Sequence, residues 1–516
     1  MLDIVKSWQT RGFWIALLAM LALPTASPAQ IPTAPPLPAN AIQGSVTTGP
    51  PVATVVSLSL DDAVRRGLQR NLAIVLSAQN QRAAAGERLV AINYLLPNVS
   101  WNASRGRNQI NLAAEGFTPS LFKKLPPNFI PPSELANIPI VVTVNLVSAQ
   151  ANLDQTLFDL RSFDLYRAAK QEIQAVDFGF QSARRAVIQQ VAGSYLQVLA
   201  AQANVTNAQG LLATNAEILR QADLEHQAGT AAGLDVLRAR VQYQQQEQAV
   251  IAAQNTWEKD KVTLNREVGL PADQQIQLTD ITPYAGLEMM PLSEALQEAY
   301  ANRQEYLRLQ AELRSAELQS RAARYERLPT VDFTSNYGMT GTVGGIYHGT
   351  FLAQGTLNIP LFREAKFRGD RDVADAATHN AMSQLANFRS QIEAEIRDNM
   401  LDVAATRQLV SVARSNVDLA HTALGDATDR FRNGIADDLP VVQAQADLAA
   451  AEAQLVNGLY QYNVAKLALA RSLGIIDREY RAYLRTPAQT ASSYYFFHNL
   501  HSGAFSPAEY DQRNGR

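Results

Sequence analysis

A mixed but mainly α-helical fold, built twice from long coiled-coil-like helices and a β-hairpin, is predicted by three observations. The first is a repeated helical unit. Residues 226–270 and 431–475 align without a gap, 205 positions apart, each a glycine-marked turn, a long helical run and a closing glycine. The second is a change of period, from helical spacing before Pro97 and Pro329 to alternation after each of them. The third is a pair of proline-free runs, Arg161 to Gln227 and about Arg363 to Asn433. As helices these would each be ~100 Å long at 1.5 Å per residue. Internal repetition on this scale settles the architecture before local propensity does.

In chain order, Lys6 and Arg11 precede the apolar run Phe13 to Leu23, and small residues at Ser27 to Ala29 offer a cleavage site. Residues 1–29 therefore read as a secretory signal peptide. Its 11 apolar residues are fewer than the ~20 that cross a bilayer as a helix. The rest of the sequence has no apolar run of that length, so any membrane crossing must use strands. Residues 30–56 are rich in Pro, Gly, Ser and Thr without periodicity and are expected to form an extended arm.

The first repeat, 57–270, opens with a serine-aspartate cap signal at Ser59 and is expected to run helically to Pro97. The second repeat, 291–476, opens with a copy of that helix 232 positions on. Four strands follow, two per repeat, at about 98–107, 142–154, 330–341 and 350–360. Val99, Trp101 and Ala103 alternate with Asn98, Ser100 and Asn102; Val331, Phe333 and Tyr337 alternate with Asp332, Thr334 and Asn336. One face is thus apolar and the other polar. Strands of about ten residues are long enough to cross hydrocarbon when tilted. Alternation alone fits a soluble hairpin with one face on a core equally well; the signal peptide and the lack of any other sheet pattern favour a membrane.

The connection inside the first hairpin is 28 residues longer than that inside the second and carries LFKKLPPNFIPPSELANIP, too proline-rich for regular structure. The second, GTVGGIYHG, is glycine-rich but has no GK[ST] and starts no helix, so it is not a phosphate loop. The long helices end at the turns around Gly229 and Gly434, and the returning helices close at Gly269 and Gly474. Val236, Tyr243, Val250, Trp257 and Leu264 recur every seven residues, matched by Val441, Leu448, Leu455, Tyr462 and Leu469. Such a seam packs on neighbouring helices in coiled-coil fashion. Residues 271–290 read as a linker between repeats and 477–516 as an irregular tail.

Composition excludes several classes. A net charge of −3 gives no basic face for nucleic acid. With no cysteine there is no disulfide, thiolate metal site, cysteine nucleophile or lipid-modified N-terminal cysteine. His226, His348, His379, His421, His498 and His501 form no metal-ligand pair on a helix. No catalytic, cofactor or metal constellation is visible, and the expectation is a protein that is not an enzyme.

The order helix, hairpin, long helix, glycine turn and half-length helix, given twice behind a signal peptide, resembles the TolC-like outer-membrane efflux protein family of outer-membrane factors. The motifs that carry the resemblance are LDQTLFD and LNIPLFREAK at the hairpin ends, with QAGTAAGLDVLRARVQ and RNGIADDLPVVQAQADL at the turns. It implies a homotrimer in the outer membrane: a 12-stranded transmembrane β-barrel, four strands per protomer, continued by an α-helical barrel through the periplasm. It also implies a passive channel in a tripartite efflux or type I secretion system, docked to a periplasmic adaptor (membrane fusion protein) and an inner-membrane pump of RND or ABC type. Elementary physics reaches part of this independently, with a trimer as the smallest assembly that conducts. Four strands leave two open edges that lipid does not tolerate. Two protomers would give eight strands with a nearly filled interior, whereas three give twelve and an aqueous lumen. Asn98, Ser100, Asn102, Asp332, Thr334 and Asn336 then face the lumen, and Trp101, Phe333, Tyr337 and Phe351 face lipid or its interfaces.

The resemblance places adaptor docking at Ala228, Gly229 and Thr230 and at Asn433, Gly434 and Ile435, where the glycines also serve as ordinary helix C-caps. The family's acidic ring beyond the second turn is absent as such, because Pro440 and Gln443 occupy the matching positions. Asp437 and Asp438, with Asp235 in the first copy, are the candidates for a pore constriction; first-turn aspartates are equally ordinary helix N-terminal residues. The rival class is a periplasmic coiled-coil scaffold or adaptor without a pore. An adaptor normally sets one helical hairpin between β-rich segments, whereas this chain has two hairpins with amphipathic strands at their far end.

Overall fold

The computed structural model describes residues 38, 40–47, 49–112, 114, 141–230, 232–280, 286–433 and 439–484. The chain divides into residues 1–35, which lie outside that set, and residues 36–516, to which everything below applies. The expected signal peptide, the proline-rich hairpin loop, and Gly434, Ile435, Asp437 and Asp438 all lie outside the described residues.

After a short 3₁₀ turn at Ala41–Gln43, the first repeat contains β1 (Val56–Leu58), α1 (Leu60–Arg70), α2 (Leu72–Asn93), β2 (Asn98–Asn111), β3 (Val141–Phe158), α3 (Leu160–Gln227) and α4 (Gly233–Val268). The linker contains β4 (Ile276–Leu278). The second repeat contains α5 (Leu292–Asn302), α6 (Gln304–Tyr325), β5 (Thr330–Thr342), β6 (Tyr347–Asn358), α7 (Glu364–Arg432) and α8 (Leu439–Ser472), and α9 (Ile476–Leu484) follows. Among the described residues no helix is long and apolar enough to cross a membrane.

The long helices have the expected extent, 68 residues in α3 and 69 in α7. The return helices α4 and α8, at 36 and 34 residues, cover about half of that length. Along the remainder of α3 lie α2 and α6, and α6 also packs on α7. The heptad seam is the packing face: Val236, Val250, Leu264, Val441, Leu448, Tyr462 and Leu469 are all buried. Each full burial of such a side chain stabilises by roughly 1.5–3 kcal/mol.

One expectation is corrected by both repeats in the same way. The helix predicted to run unbroken from residue 60 to Pro97 is interrupted between α1 and α2, and its copy is interrupted between α5 and α6, again 232 positions on. Ser59 caps α1 as expected, its hydroxyl accepting from the Asp62 amide at 3.2 Å. Asn71, fully buried, then starts a new helix: its Oδ1 accepts from the Ala73 amide at 2.9 Å and its Nδ2 donates to the Ile42 carbonyl at 2.6 Å. The cause is tertiary. The closing glycine of each return helix abuts the break in its own repeat, Gly269 against Arg70 and Gly474 against the Asn302–Arg303 backbone.

Gly474 illustrates the requirement. Its φ of 76° is left-handed, and a Cβ there would lie 2.8 Å from the Arg303 nitrogen. The Ile475 amide donates to the Ala470 carbonyl and the Gly474 amide to that of Arg471, which closes a Schellman cap. Gly474→Ala is expected to destabilise by about 1–2 kcal/mol from backbone conformation alone, and by more from the clash. Gly193→Ala, in the middle of α3 with open space around it, is expected to stabilise by about 0.5–1 kcal/mol. Thermal unfolding rates followed by helical circular dichroism should separate the two variants in opposite directions from the parent.

Two further expectations need correction. The sequence predicts a free arm at 30–56 and a plain linker at 271–290, with no sheet besides the hairpins. Instead β1 and β4 pair in parallel, Val56 with Ile276 and Leu58 with Leu278, and Leu58 is fully buried. Tyr195 fastens this pair to α3, its hydroxyl donating 2.8 Å to Asp280 and also lying 3.0 Å from the Leu58 carbonyl. The tail is not irregular from residue 477. Helix α9 buries Ile476, Tyr480, Tyr483 and Leu484, one helical face, while Asp477 pairs with Arg185 at 3.1 Å and the Tyr480 hydroxyl donates 2.8 Å to Asp61.

The four long strands form one antiparallel sheet in the order β2-β3-β5-β6, so the two hairpins lie side by side and β2 and β6 are its edges. A collar of ion pairs joins sheet to helices. Buried Asp164 is held by Arg321 at 2.6 Å, and Glu326 by Arg161 at 3.0 Å and Lys366 at 3.1 Å.

Candidate functional site

Register decides which residues share a face, because directly paired residues in an antiparallel sheet project to the same side. Asn98 pairs with Asp154, Asp154 with Thr334 and Thr334 with Gln354. The next row is Ser100, Asn152, Asn336 and Leu352, and the one after it Asn102, Gln150, Gly338 and Thr350. Asp332 pairs with Thr156 and Thr356. All six residues expected on a polar face therefore share it; Leu352 interrupts it in these rows, and towards the far end of the sheet Leu146, Val144, Val142 and Ile110 make the same face apolar. Two of them also fix the sheet. Asp332 accepts from the Thr156 hydroxyl at 3.0 Å and from Asn358 Nδ2 at 3.1 Å, while Asn98 Nδ2 donates to the Asn93 and Leu96 carbonyls at the end of α2.

The opposite face is apolar and uncovered. One of its rows is Trp101, Ala151, Tyr337 and Phe351, in which the three aromatic residues are 68%, 71% and 79% exposed. Phe333 lies on the same face and is half-buried. Outward rows run mainly apolar from Phe158, Val331 and Leu357 up to Val147, Gly341 and Tyr347, with Gln155 and Ser335 as the polar exceptions below the Arg105 row. Ten residues of strand span roughly 34 Å, and a tilt of about 40° reduces that to roughly 26 Å of height. An outer-membrane barrel carries an apolar band of about 25 Å. Arg105 and Arg107 share this outward parity, which a reading of the polar set alone passes over; counting by twos from Trp101 finds them.

The far ends of the long helices hold the other candidate residues. Both α3 and α7 leave the sheet and run ~100 Å before turning. At the first turn Gly229 has φ 74° with nothing within 4 Å of where a Cβ would stand, so the glycine is needed for conformation and not for space. The Gly229 amide donates to the His226 carbonyl and the Thr230 amide to that of Glu225, a Schellman cap that leaves Ala228, Gly229 and Thr230 exposed. Asp235 lies in the first turn of α4, half-buried, 3.4 Å from Arg238. At the second turn exposed Asn433 donates through Nδ2 to the Asp429 carbonyl at 2.7 Å. The two ends thus differ in local chemistry as their sequences do.

An open sheet with one polar and one apolar exposed face, joined to helices of this length, is the geometry of a barrel wall continued by a helical tube. The sequence profile described as outer membrane efflux protein matches residues 63–270 and 295–475. The toluene efflux pump outer membrane protein TtgF of Pseudomonas putida is 25% identical over 340 residues, covering 63% of this chain and 70% of its own. Outer membrane protein TolC of Escherichia coli is 21% identical over 355 residues, covering 66% and 71%. Among solved structures, the CmeC outer membrane channel of Campylobacter jejuni has the same fold, with a TM-score of 0.66 at 18% identity over 81% of this chain and 86% of that one. A profile match across both repeats, together with this geometry, identifies the chain as a member of the outer membrane efflux protein family.

Proposed function

We propose that the protein works as a homotrimeric passive conduit, in which three four-stranded sheets close a 12-stranded barrel and the long helices form a tube through the periplasm. It is an outer-membrane channel component of an efflux system, in keeping with its family. The observation that carries the trimer is the sheet: β2 and β6 are open edges, and hydrocarbon leaves no backbone donor or acceptor unsatisfied. Helix α7 supports it, since Leu401, Leu409, Val412 and Leu419 are more than half exposed at helical spacing, a stripe that a neighbouring protomer would cover.

On this reading Asn98, Ser100, Asn102, Asp332, Thr334 and Asn336 line the lumen. The turns Ala228–Thr230 and Asn433–Ile435 dock a periplasmic adaptor, through which an inner-membrane pump supplies the energy. Fractionation followed by native mass spectrometry tests the assembly: the expected result is an outer-membrane trimer resistant to mild detergent, and a soluble periplasmic monomer would contradict it.

The unequal turns give a second test. Replacing Asp437 and Asp438 together by alanine is expected to raise single-channel conductance at least about twofold, as loss of a constriction carrying negative charge would do. Asp235→Ala is expected to change it by less, since Arg238 already stands beside that carboxylate. Equal effects would show that the second turn holds no constriction.

A further inference from the structure

Charge is segregated within the sheet. Its described strands contain four charged residues besides His348: Asp154, Asp332, Arg105 and Arg107. Both aspartates have polar-face parity and lie towards the helix end of the strands, where α2 and α3 attach. Both arginines have apolar-face parity and lie towards the opposite end. Arg105 shares a row with Val147, Gly341 and Tyr347, the upper margin of the apolar band. Arg107 stands one pleat further out, opposite Asn145. Both are exposed, and among the described residues no carboxylate pairs with either.

The geometry points to a binding site, formed by Arg105 and Arg107 on the outward face of β2, for the phosphate group of an anionic outer-leaflet lipid. This rests on the membrane-spanning reading of the sheet. With the helices in the periplasm, the far strand ends reach the outer leaflet, and the two guanidinium groups project at headgroup level. Two cations about 7 Å apart on one strand face repel each other, and an anion between them converts that repulsion into attraction. Phosphate suits the guanidinium fork, which donates two parallel hydrogen bonds to it. The Asn145 side chain, next to Arg107 in the same row, offers a further amide donor. The source is a lipid because the rows immediately below are apolar: Ala103, Ala149 and Met339 give acyl chains a surface continuous with the phosphate site.

The test uses the full-length protein released from outer membranes in a non-ionic detergent. Native mass spectrometry would compare retention of a hexa-acylated glucosamine disaccharide carrying one phosphate with retention of its dephosphorylated counterpart. The parent is expected to favour the phosphorylated lipid at least about tenfold, the scale of charge-assisted hydrogen bonds. R105Q/R107Q should abolish the preference. So should Arg107→Asn combined with Asn108→Arg, which keeps net charge but moves one guanidinium to the polar face. If the double variant fails to assemble, Arg107→Gln alone should reduce the preference at least about threefold.

Equal retention of the two lipids by the parent, or a preference that survives these variants, would overturn the site. Displacement of the lipid by inorganic phosphate at matching concentration would show a bare anion site and overturn the lipid assignment. A conducting trimer without phosphate preference ends this inference alone, whereas a soluble monomer ends the membrane reading on which it rests.

Discussion

Ala151→Arg is expected to abolish outer-membrane assembly, whereas Asn152→Arg, one position along the same strand, is expected to leave assembly intact and alter conduction. Ala151 lies in the row of Trp101, Tyr337 and Phe351, near the middle of the apolar band. An arginine facing lipid at that depth costs about 2–4 kcal/mol, and a trimer carries three copies. Stability margins of folded proteins are of order 5–15 kcal/mol, so the penalty consumes most of one. Asn152 lies in the row of Ser100 and Asn336 on the polar face, where an added cation meets water. There the expected effect is a shift of ion selectivity towards anions. The measurement is the yield of detergent-resistant trimer per unit of outer membrane, followed by reversal potentials for the variant that assembles. Equal yields from both variants would show that the two faces do not divide lipid from water.

The second large effect lies in the helices. Lys466 is fully buried in α8, and burial pushes its ammonium down to about 7, with the Tyr462 ring face 4.6 Å away. In the unfolded chain its pKa is about 10.4. Between about pH 7 and pH 10 the unfolded state therefore holds more protons than the folded state, and stability rises with pH across that window. Below about pH 7 both states are protonated, and the contribution is level at its least favourable. Lys466→Met removes the penalty. The shift alone sets an upper bound on the order of 4–5 kcal/mol at 1.36 kcal/mol per pH unit. Because the ring favours the charged form, a gain of about 2–3 kcal/mol is expected at pH 6.5, falling towards zero near pH 10. Unfolding rates of parent and variant at the two pH values provide the check. A gain independent of pH would show that packing and not charge governs this position.

What was legible in the sequence depended on length and repetition. Strand parity put Asn98, Ser100, Asn102, Asp332, Thr334 and Asn336 on one face, and the register shows them sharing it, because period two has only two answers. The heptad seam from Val236 to Leu264 was equally readable, since five seam positions accumulate along one helix. The three-residue strands β1 and β4 were not, for a span so short carries no period and is held by burial of Leu58 and Ile276 against distant elements. The breaks at Asn71 and Arg303 contain neither Pro nor Gly. They follow from the approach of Gly269 and Gly474, about 200 and 170 residues away in sequence, a contact that no local window contains. Helix α9 had a readable signal in the spacing of Ile476, Tyr480, Tyr483 and Leu484, masked by the aromatic residues that follow it. Gly229 was legible both as a cap and as a turn, and its left-handed backbone confirms the conformation while leaving the docking role to experiment.

Conduction tests the central claim most directly. The detergent-purified assembly, added to one side of a planar lipid bilayer, is expected to give discrete conductance steps of uniform size, each the insertion of one trimer. A folded outer-membrane trimer that inserts but never conducts, even with Asp235, Asp437 and Asp438 replaced by alanine, would contradict the account.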